Sequence, residues 1–248
     1  MNSLEIHKLA DMEDRYWWHI GKKHLITSLI KHHFKNRTDL KVLELGCGTG
    51  GMLETLTKFG KVTGFDISPA AVGYCQAKGF DTVRVQDIST LDIAGEQTGY
   101  DSILALDVLE HIQDDVLAMR KVRALLADGG LFFVNVPAHK FLWSEHDEAL
   151  EHKRRYHRVE LIKKLTDAGF SIVSNSYFVS LISPIIILYR IWGNVFGKSA
   201  YPKTSYVLLP DKLNELFVYL LKLEARLLLK MRIPFGVTLN VVAKKAAA

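Results

Sequence analysis

From residue 39 onward, short apolar runs alternate with longer stretches in which apolar residues recur every three or four positions. The runs at 42–45, 62–65, 82–85, 102–106 and 131–136 predict strands. Between them the spacing predicts helices at 51–59, 69–78 and 114–126. Ser68 stands at the N-cap of the second with Pro69 in its first turn, and Gly129-Gly130 is expected to close the third. This alternation implies a parallel sheet covered by helices on both faces.

Ahead of the first run, 24–34 reads as an amphipathic helix preceded by the aromatic cluster Arg15-Tyr16-Trp17-Trp18-His19. After the fifth, 159–168 reads as a helix ended by Gly169, and a strand runs from Phe170 towards Phe178. The rhythm then breaks. Residues 181–232 hold two apolar-rich helical stretches around a looser connection at 197–210, and a last strand at 236–243 alternates too weakly to be an exposed edge. The expected organisation is an N-terminal lid and helix (1–38), an α/β core (39–180), an apolar helical insertion (181–232) and the last strand of the core (233–245). The terminal Ala246-Ala247-Ala248 reads as an expression remnant.

Composition narrows the function classes. With 248 residues, 48% of them hydrophobic, 24% charged and only six prolines, disorder, collagen and low-complexity readings are excluded. Cys47 and Cys75 are too few for a disulfide framework and suit a reducing cytosol, so a cytoplasmic location is expected. The net charge of +5 is scattered, and no basic stripe with interleaved aromatics marks a nucleic-acid groove. No secretory or transit pattern opens the chain. The most apolar stretch, 177–192, is broken by Pro184, carries Arg190 and falls short of the roughly 20 residues a spanning helix needs.

The chemistry begins at Val42-Leu43-Glu44-Leu45-Gly46-Cys47-Gly48-Thr49-Gly50-Gly51, a glycine-rich turn between a buried strand and a helix. That arrangement lets backbone approach a nucleotide-like ligand. Asp66, twenty residues after Gly46 at the end of the second strand, is placed to accept from both ribose hydroxyls. The glycines fit both GxGxxG and GxGxG. Glu44 favours one ligand over the other, because an acid two residues before the first glycine repels a pyrophosphate but suits a ligand with ammonium and sulfonium charges, S-adenosylmethionine.

At this point the residues resemble the class I S-adenosylmethionine-dependent methyltransferases over about residues 40–169. The resemblance implies a Rossmann-like sheet of seven strands, six parallel and an antiparallel last one, with helices on both faces and a helical insertion before the last strand. It implies that Glu44, Gly46, Cys47, Gly48, Gly50, Asp66 and Ile67 bind the cofactor. Val85-Gln86-Asp87-Ile88 is similar to the segment in which Asp87 and Ile88 would meet the adenine, and Tyr100 to His111 resembles the branch that includes ubiquinone-biosynthesis methyltransferases. There Leu106 and Asp107 would flank the methionine moiety.

On the acceptor side, methyl transfer from a sulfonium needs alignment, desolvation and, for weak acceptors, a base. His111, after the fourth strand, is the candidate base, with capping of its loop as the alternative. Asp107, Glu110 and His111 also stand at i, i+3 and i+4, a spacing that could converge on a divalent ion and that resembles a metal motif of ubiquinone-pathway O-methyltransferases; whether a metal is used stays open. Ser144, His146, Asp147, His152, Arg154, Arg155 and Tyr156 fall in an SxxDxxxxHxRRY pattern bordering the expected acceptor pocket. Arg154, Arg155 and Tyr156 either clamp an anionic acceptor or form an ion network with Asp147 and Glu148. Trp18 belongs either to an aromatic lid or to a hydrophobic staple. The insertion's apolar surplus points to a dimer partner, a membrane surface or a hydrophobic small-molecule acceptor, in a monomer or homodimer. Two rival functions stand beside methyl transfer: a dinucleotide-dependent oxidoreductase, and a catalytically silent methyltransferase-like binding module.

Overall fold

A computed structural model describes residues 10–196 and 209–246. Among these, seven strands form one sheet in the order β3-β2-β1-β4-β5-β7-β6. The strands are β1 Leu40–Leu45, β2 Gly60–Asp66, β3 Val83–Val85, β4 Tyr100–Leu106, β5 Leu126–Pro137, β6 Phe170–Phe178 and β7 Thr238–Lys245. β7 runs antiparallel between β5 and β6, and the other neighbouring pairs are parallel. This is the expected fold, six parallel strands and one antiparallel. The chain order reverses between β1 and β4, so a crevice opens beyond their carboxyl ends.

The helices are α1 Trp17–Phe34, α2 Gly51–Leu56, α3 Pro69–Ala77, α4 Asp115–Leu125, α5 Glu145–Ala149, α6 Arg158–Asp167, α7 Ser183–Phe196 and α8 Asp211–Leu228. Because successive strand residues face opposite ways, β1 sends Val42 to one layer and Leu43 and Leu45 to the other. Val42, Leu104 and Phe133 pack with α1, α2, α3 and α8, through Ile26, Leu53, Val72 and Leu221 among others. Leu43, Ile103 and Phe132 pack with α4 and α6, through Met119, Val122, Leu161 and Leu165. Coverage of both faces explains why these strands read as unbroken apolar runs.

Three expectations are corrected. The helix expected at 24–34 begins at Trp17, so Trp17, Trp18 and His19 of the aromatic cluster form its opening turn, with Tyr16 at the N-cap, and do not precede it. That turn is capped from the insertion: Trp17 N–H donates to Asn214 Oδ1 at 3.0 Å, and Trp17 meets Phe217 edge to face at 5.4 Å. Gly21 permits this contact, since a Cβ there would lie 2.2 Å from Leu221 Cδ1. Secondly, Gly129-Gly130 does not close α4; β5 begins at Leu126, and both glycines sit in an irregularity where the register to β4 shifts between Tyr100 and Ser102. Thirdly, the last strand starts at Thr238 and runs to Lys245. The connection expected at 197–210 lies outside the described residues except for its last two positions, as do residues 1–9 of the N-terminal segment.

Candidate active site

The crevice beyond β1 and β4 is a cleft of about 1190 Å³. Of the site residues expected from the sequence, Gly50, Ser144, Asp147, Arg154 and Tyr156 do not border it, and the others do. Its first wall is the turn after β1. Gly46 N–H donates to Phe65 O at 2.7 Å and Gly48 N–H to Asp66 Oδ2 at 2.9 Å, while Asp66 Oδ1 accepts from Ser68 N–H at 2.9 Å. Asp66 is thereby fixed at the mouth of β2 with lone pairs left for a ligand. Gly46 holds φ +65, and a Cβ there would come within 2.5 Å of Val108 Cγ2. Gly50 turns away from the cleft and opens α2 at φ +90.

Glu44 is buried and its Oε2 has no hydrogen-bond partner. Burial pushes its carboxyl well above the usual range, partly countered by Lys22. A buried acid with an orphaned oxygen beside a glycine turn fits a cationic group in the cleft. Further along, Asp87 Oδ1 accepts from Ser89 N–H at 2.7 Å, Ile88 is buried, and Ile67 lines the cleft while 68% exposed. Leu106 ends β4, and Asp107 follows in a left-handed conformation at φ +60. Asp107 Oδ2 accepts from Lys22 Nζ at 2.8 Å and Oδ1 from Asn135 Nδ2 at 3.2 Å.

Residues from the N-terminal segment close this side. Glu13, buried, accepts through Oε2 from Thr49 Oγ1 at 2.6 Å and Gly51 N–H at 3.1 Å, and pairs through Oε1 with Lys78. It therefore latches the segment onto the glycine turn. Gly51 is small for Glu13, whose carboxylate lies 2.5 Å from where a Cβ would stand. Trp18 borders the cleft 6.1 Å from Phe178, with Lys22 Nζ 5.5 Å from its ring centre. Sequence reasoning missed Glu13 and Lys22, and no motif signals either one.

The far wall is built from the turn after β4 and the loop after β5. Glu110, His111 and His152 bring donor atoms within 4.8 Å of one another. Both Glu110 oxygens are buried without a hydrogen-bond partner, and burial, with Asp107 nearby, raises its carboxyl well above the usual range. His111 meets His152 edge to face at 4.7 Å; burial, with His152 adding to it, lowers its imidazole to about 4, so it is neutral at pH 7. The structure thus replaces the expected trio: His152 completes the cluster, while Asp107 is held by Lys22 and Asn135.

Asp147 organises this wall. Its oxygens accept the Arg155 guanidinium at 2.8 and 3.0 Å, His152 Nδ1 at 2.9 Å, Ser144 N–H at 2.9 Å and Arg190 Nη1 at 3.2 Å. Burial opposes its charge, but the bonds from His152 and Arg155 outweigh that and hold the carboxyl below its usual range. Of the two readings left open for Arg154, Arg155 and Tyr156, the geometry shows the ion network and not the clamp. Arg155 is tied to Asp147 and Ala138 O, Arg154 to Asp115 and Gln113 O, and the fully buried Tyr156 hydroxyl to Asp115 and Leu109 O. The ion network centres on Asp147 and Asp115, and not on Glu148. His146 borders the cleft, and burial lowers its imidazole to about 3. From the insertion, Ile185, Ile186, Tyr189, Leu213 and Phe217 add an apolar roof.

The geometry agrees with three comparisons. A solved S-adenosylmethionine-dependent methyltransferase from Archaeoglobus fulgidus matches at TM-score 0.56 and 16% identity, over 90% of this chain and 94% of that one. Magnesium protoporphyrin IX methyltransferase from Synechocystis PCC 6803, solved with bound S-adenosylhomocysteine, matches at 0.51 and 21%, over 64% and 76%. These likenesses concern the fold. In sequence, the ubiquinone biosynthesis O-methyltransferase of Xanthomonas oryzae pv. oryzae is 31% identical over 144 residues, which is 53% of this chain and 59% of that protein. The chain therefore spans less than two thirds of that relative. A family model described as a methyltransferase domain matches residues 17–175, from the first residue of α1 to within β6, and the chain belongs to that family.

Proposed function

We propose that this protein transfers the methyl group of S-adenosylmethionine to a small, largely apolar acceptor. The observation that carries the reading is Glu44, a buried carboxyl with an unpartnered oxygen two residues before the glycine turn, opposite Asp66 at the mouth of β2. Glu44 would take the ammonium of the donor, Asp66 the ribose hydroxyls, and Ile67, Asp87 and Ile88 the adenine. The donor supplies a methyl group on a sulfonium, a leaving group that needs no further activation. What the protein adds is alignment and the exclusion of water. Trp18 and the α7–α8 roof close the cleft from above, and Glu13 secures the N-terminal segment over the donor side.

At the acceptor end the neutral His111 can receive a proton from the attacking group. A second reading is favoured by the orphaned oxygens of Glu110: with His111 and His152 they form a donor set suited to a divalent cation, which would acidify an acceptor hydroxyl. His152 is oriented for either role by Asp147. Buried, unpaired Cys47 and Cys75 support a cytoplasmic setting. No helix among the described residues is long and apolar enough to cross a membrane.

The test is transfer of labelled methyl to small-molecule and lipid extracts, with and without a chelator. Label appearing in an apolar product supports the reading, and loss with chelator and return with a divalent cation selects the metal variant. Donor binding without transfer to any extract would favour the silent binding module.

A further inference from the structure

We infer that the outer faces of α7 and α8 dock on the surface of a bilayer containing anionic lipid. On α8, Lys212, Leu216, Tyr219, Leu223, Arg226 and Lys230 recur at intervals of four, three, four, three and four, which places them in one stripe along the helix. All six are exposed and Lys222, beside the stripe, is half-buried, whereas the opposite face buries Phe217, Leu221 and Ala225 against α1 and the sheet. Lys230, the last of the six, lies just past the helix end and is exposed as well. The stripe mixes cations with Leu and Tyr, and the one exposed acid at its margin, Glu215, lies between Arg226 and Lys222 around the helix, which leaves the face cationic. That is the pattern of a helix lying in a lipid interface, where apolar side chains enter the acyl boundary and long basic ones reach headgroups.

α7 carries the second, independent observation. Its sole charged residue, Arg190, points inward to Asp147 and Leu142 O, while Leu181, Ile185, Leu188 and Trp192 face outward at the spacing of a single stripe. Leu188 and Trp192 are each 68% exposed. A helix with its charge inside and its apolar side chains outside is inverted relative to a water-facing one. The turn packed against it adds Phe141, exposed, and Lys140, whose side chain is 74% exposed.

Charge decides between a lipid surface and a second copy of the chain. A two-fold dimer on α8 would set Lys212, Arg226 and Lys230 against the same cations of its partner, whereas anionic headgroups complement them. The faces also adjoin the cleft, since Ile185 and Tyr189 are more than half exposed and line it as well. A docked molecule would therefore hold the cleft roof at the lipid boundary.

Docking does not depend on methyl transfer, and the test is run without donor or acceptor, so either reading can fail alone. The protein is floated with vesicles of phosphatidylcholine and with vesicles in which about 30% of the lipid is phosphatidylglycerol. Binding to the anionic vesicles, weakened by high salt, is expected. Arg226→Gln with Lys230→Gln should lower partitioning roughly thirtyfold, and Leu216→Gln with Leu223→Gln should also lower it. Circular dichroism and thermal unfolding, measured on the same variants, report that they are folded. The inference is overturned if neither vesicle binds the protein, if both pairs of substitutions leave binding unchanged, or if light scattering shows a dimer that the Leu216→Gln, Leu223→Gln variant converts to monomer.

Discussion

On the side of β1, β2 and β3 the cleft is walled by residues that are neighbours in sequence, Glu44 to Gly48 and Asp66 to Ser68, held by their own backbone N–H groups. On the side of β5 and the insertion it is walled by residues that meet from far apart. Asp147, His152 and Arg155 come from one loop and Arg190 from a helix more than thirty positions later. The first wall leaves polar atoms open, as at Glu44. In the second, Asp147 is satisfied by Arg155 and Asp115 by Arg154 and Tyr156, while both oxygens of Glu110 stay without a partner. The difference separates a surface prepared for a polar ligand from a scaffold that positions two imidazoles under an apolar roof.

The largest effect should come from breaking the scaffold. Asp147→Ala leaves the guanidinium groups of Arg155 and Arg190 without their shared carboxylate in a buried site. A loss of about 3 to 5 kcal/mol is expected in denaturant unfolding. An unchanged midpoint would show that the network is not what holds the far wall.

Acid should act next, on the order of a few kcal/mol. Burial lowers His19 and His146 to about 3 in the folded chain, from an ordinary 6.5. Below 6.5 the unfolded chain therefore takes up protons that the folded chain does not, and stability is full above that pH and falls as pH drops towards 3. Thermal unfolding between pH 7 and 4 measures this, and a flat profile would place both imidazoles in water.

The same division governs what could be read in the chain beforehand. Strands β1, β4 and β5 announced themselves because both of their faces are covered, Asp66 and Asp87 because each accepts from a residue two positions on, and the glycine turn because its glycines form a compact motif at a fixed spacing of eighteen from Gly48 to Asp66. Glu13, Lys22 and Arg190 act across 36, 85 and 43 positions, and nothing local to any of them records the partner. The Arg154-Arg155-Tyr156 run was visible, but whether its cations face a ligand or an internal acid depends on where Asp115 and Asp147 fall in space. For the same reason the first helix was expected seven residues too late: Tyr16 gives Trp17 no side-chain cap, and the cap is supplied by Asn214 from the insertion.

On the ligand wall the effects should be smaller in stability and larger in binding. Asp66→Ala is expected to weaken S-adenosylhomocysteine by about 1 to 3 kcal/mol, because it removes a ligand acceptor, with the fold retained and a modestly lower melting point, because Gly48 and Ser68 N–H lose the carboxylate that accepts from them. Unaltered affinity would remove Asp66 from the ribose. Smallest of all, Arg154→Ala should cost about 1 kcal/mol of stability, given its partly exposed pair with Asp115, and leave donor affinity unchanged. A selective rise in acceptor KM with no change in stability would return Arg154 to the role of a clamp.

The claim at the centre is that Glu44 and Asp66 face a ligand with an ammonium and a ribose and not a pyrophosphate. Calorimetric titration of the intact chain with S-adenosylmethionine, S-adenosylhomocysteine and NAD compares them directly. The account predicts low-micromolar binding of the first two, on the order of 8 kcal/mol, and none of NAD. Binding of NAD in preference to both would contradict it and return the glycine turn to a dinucleotide.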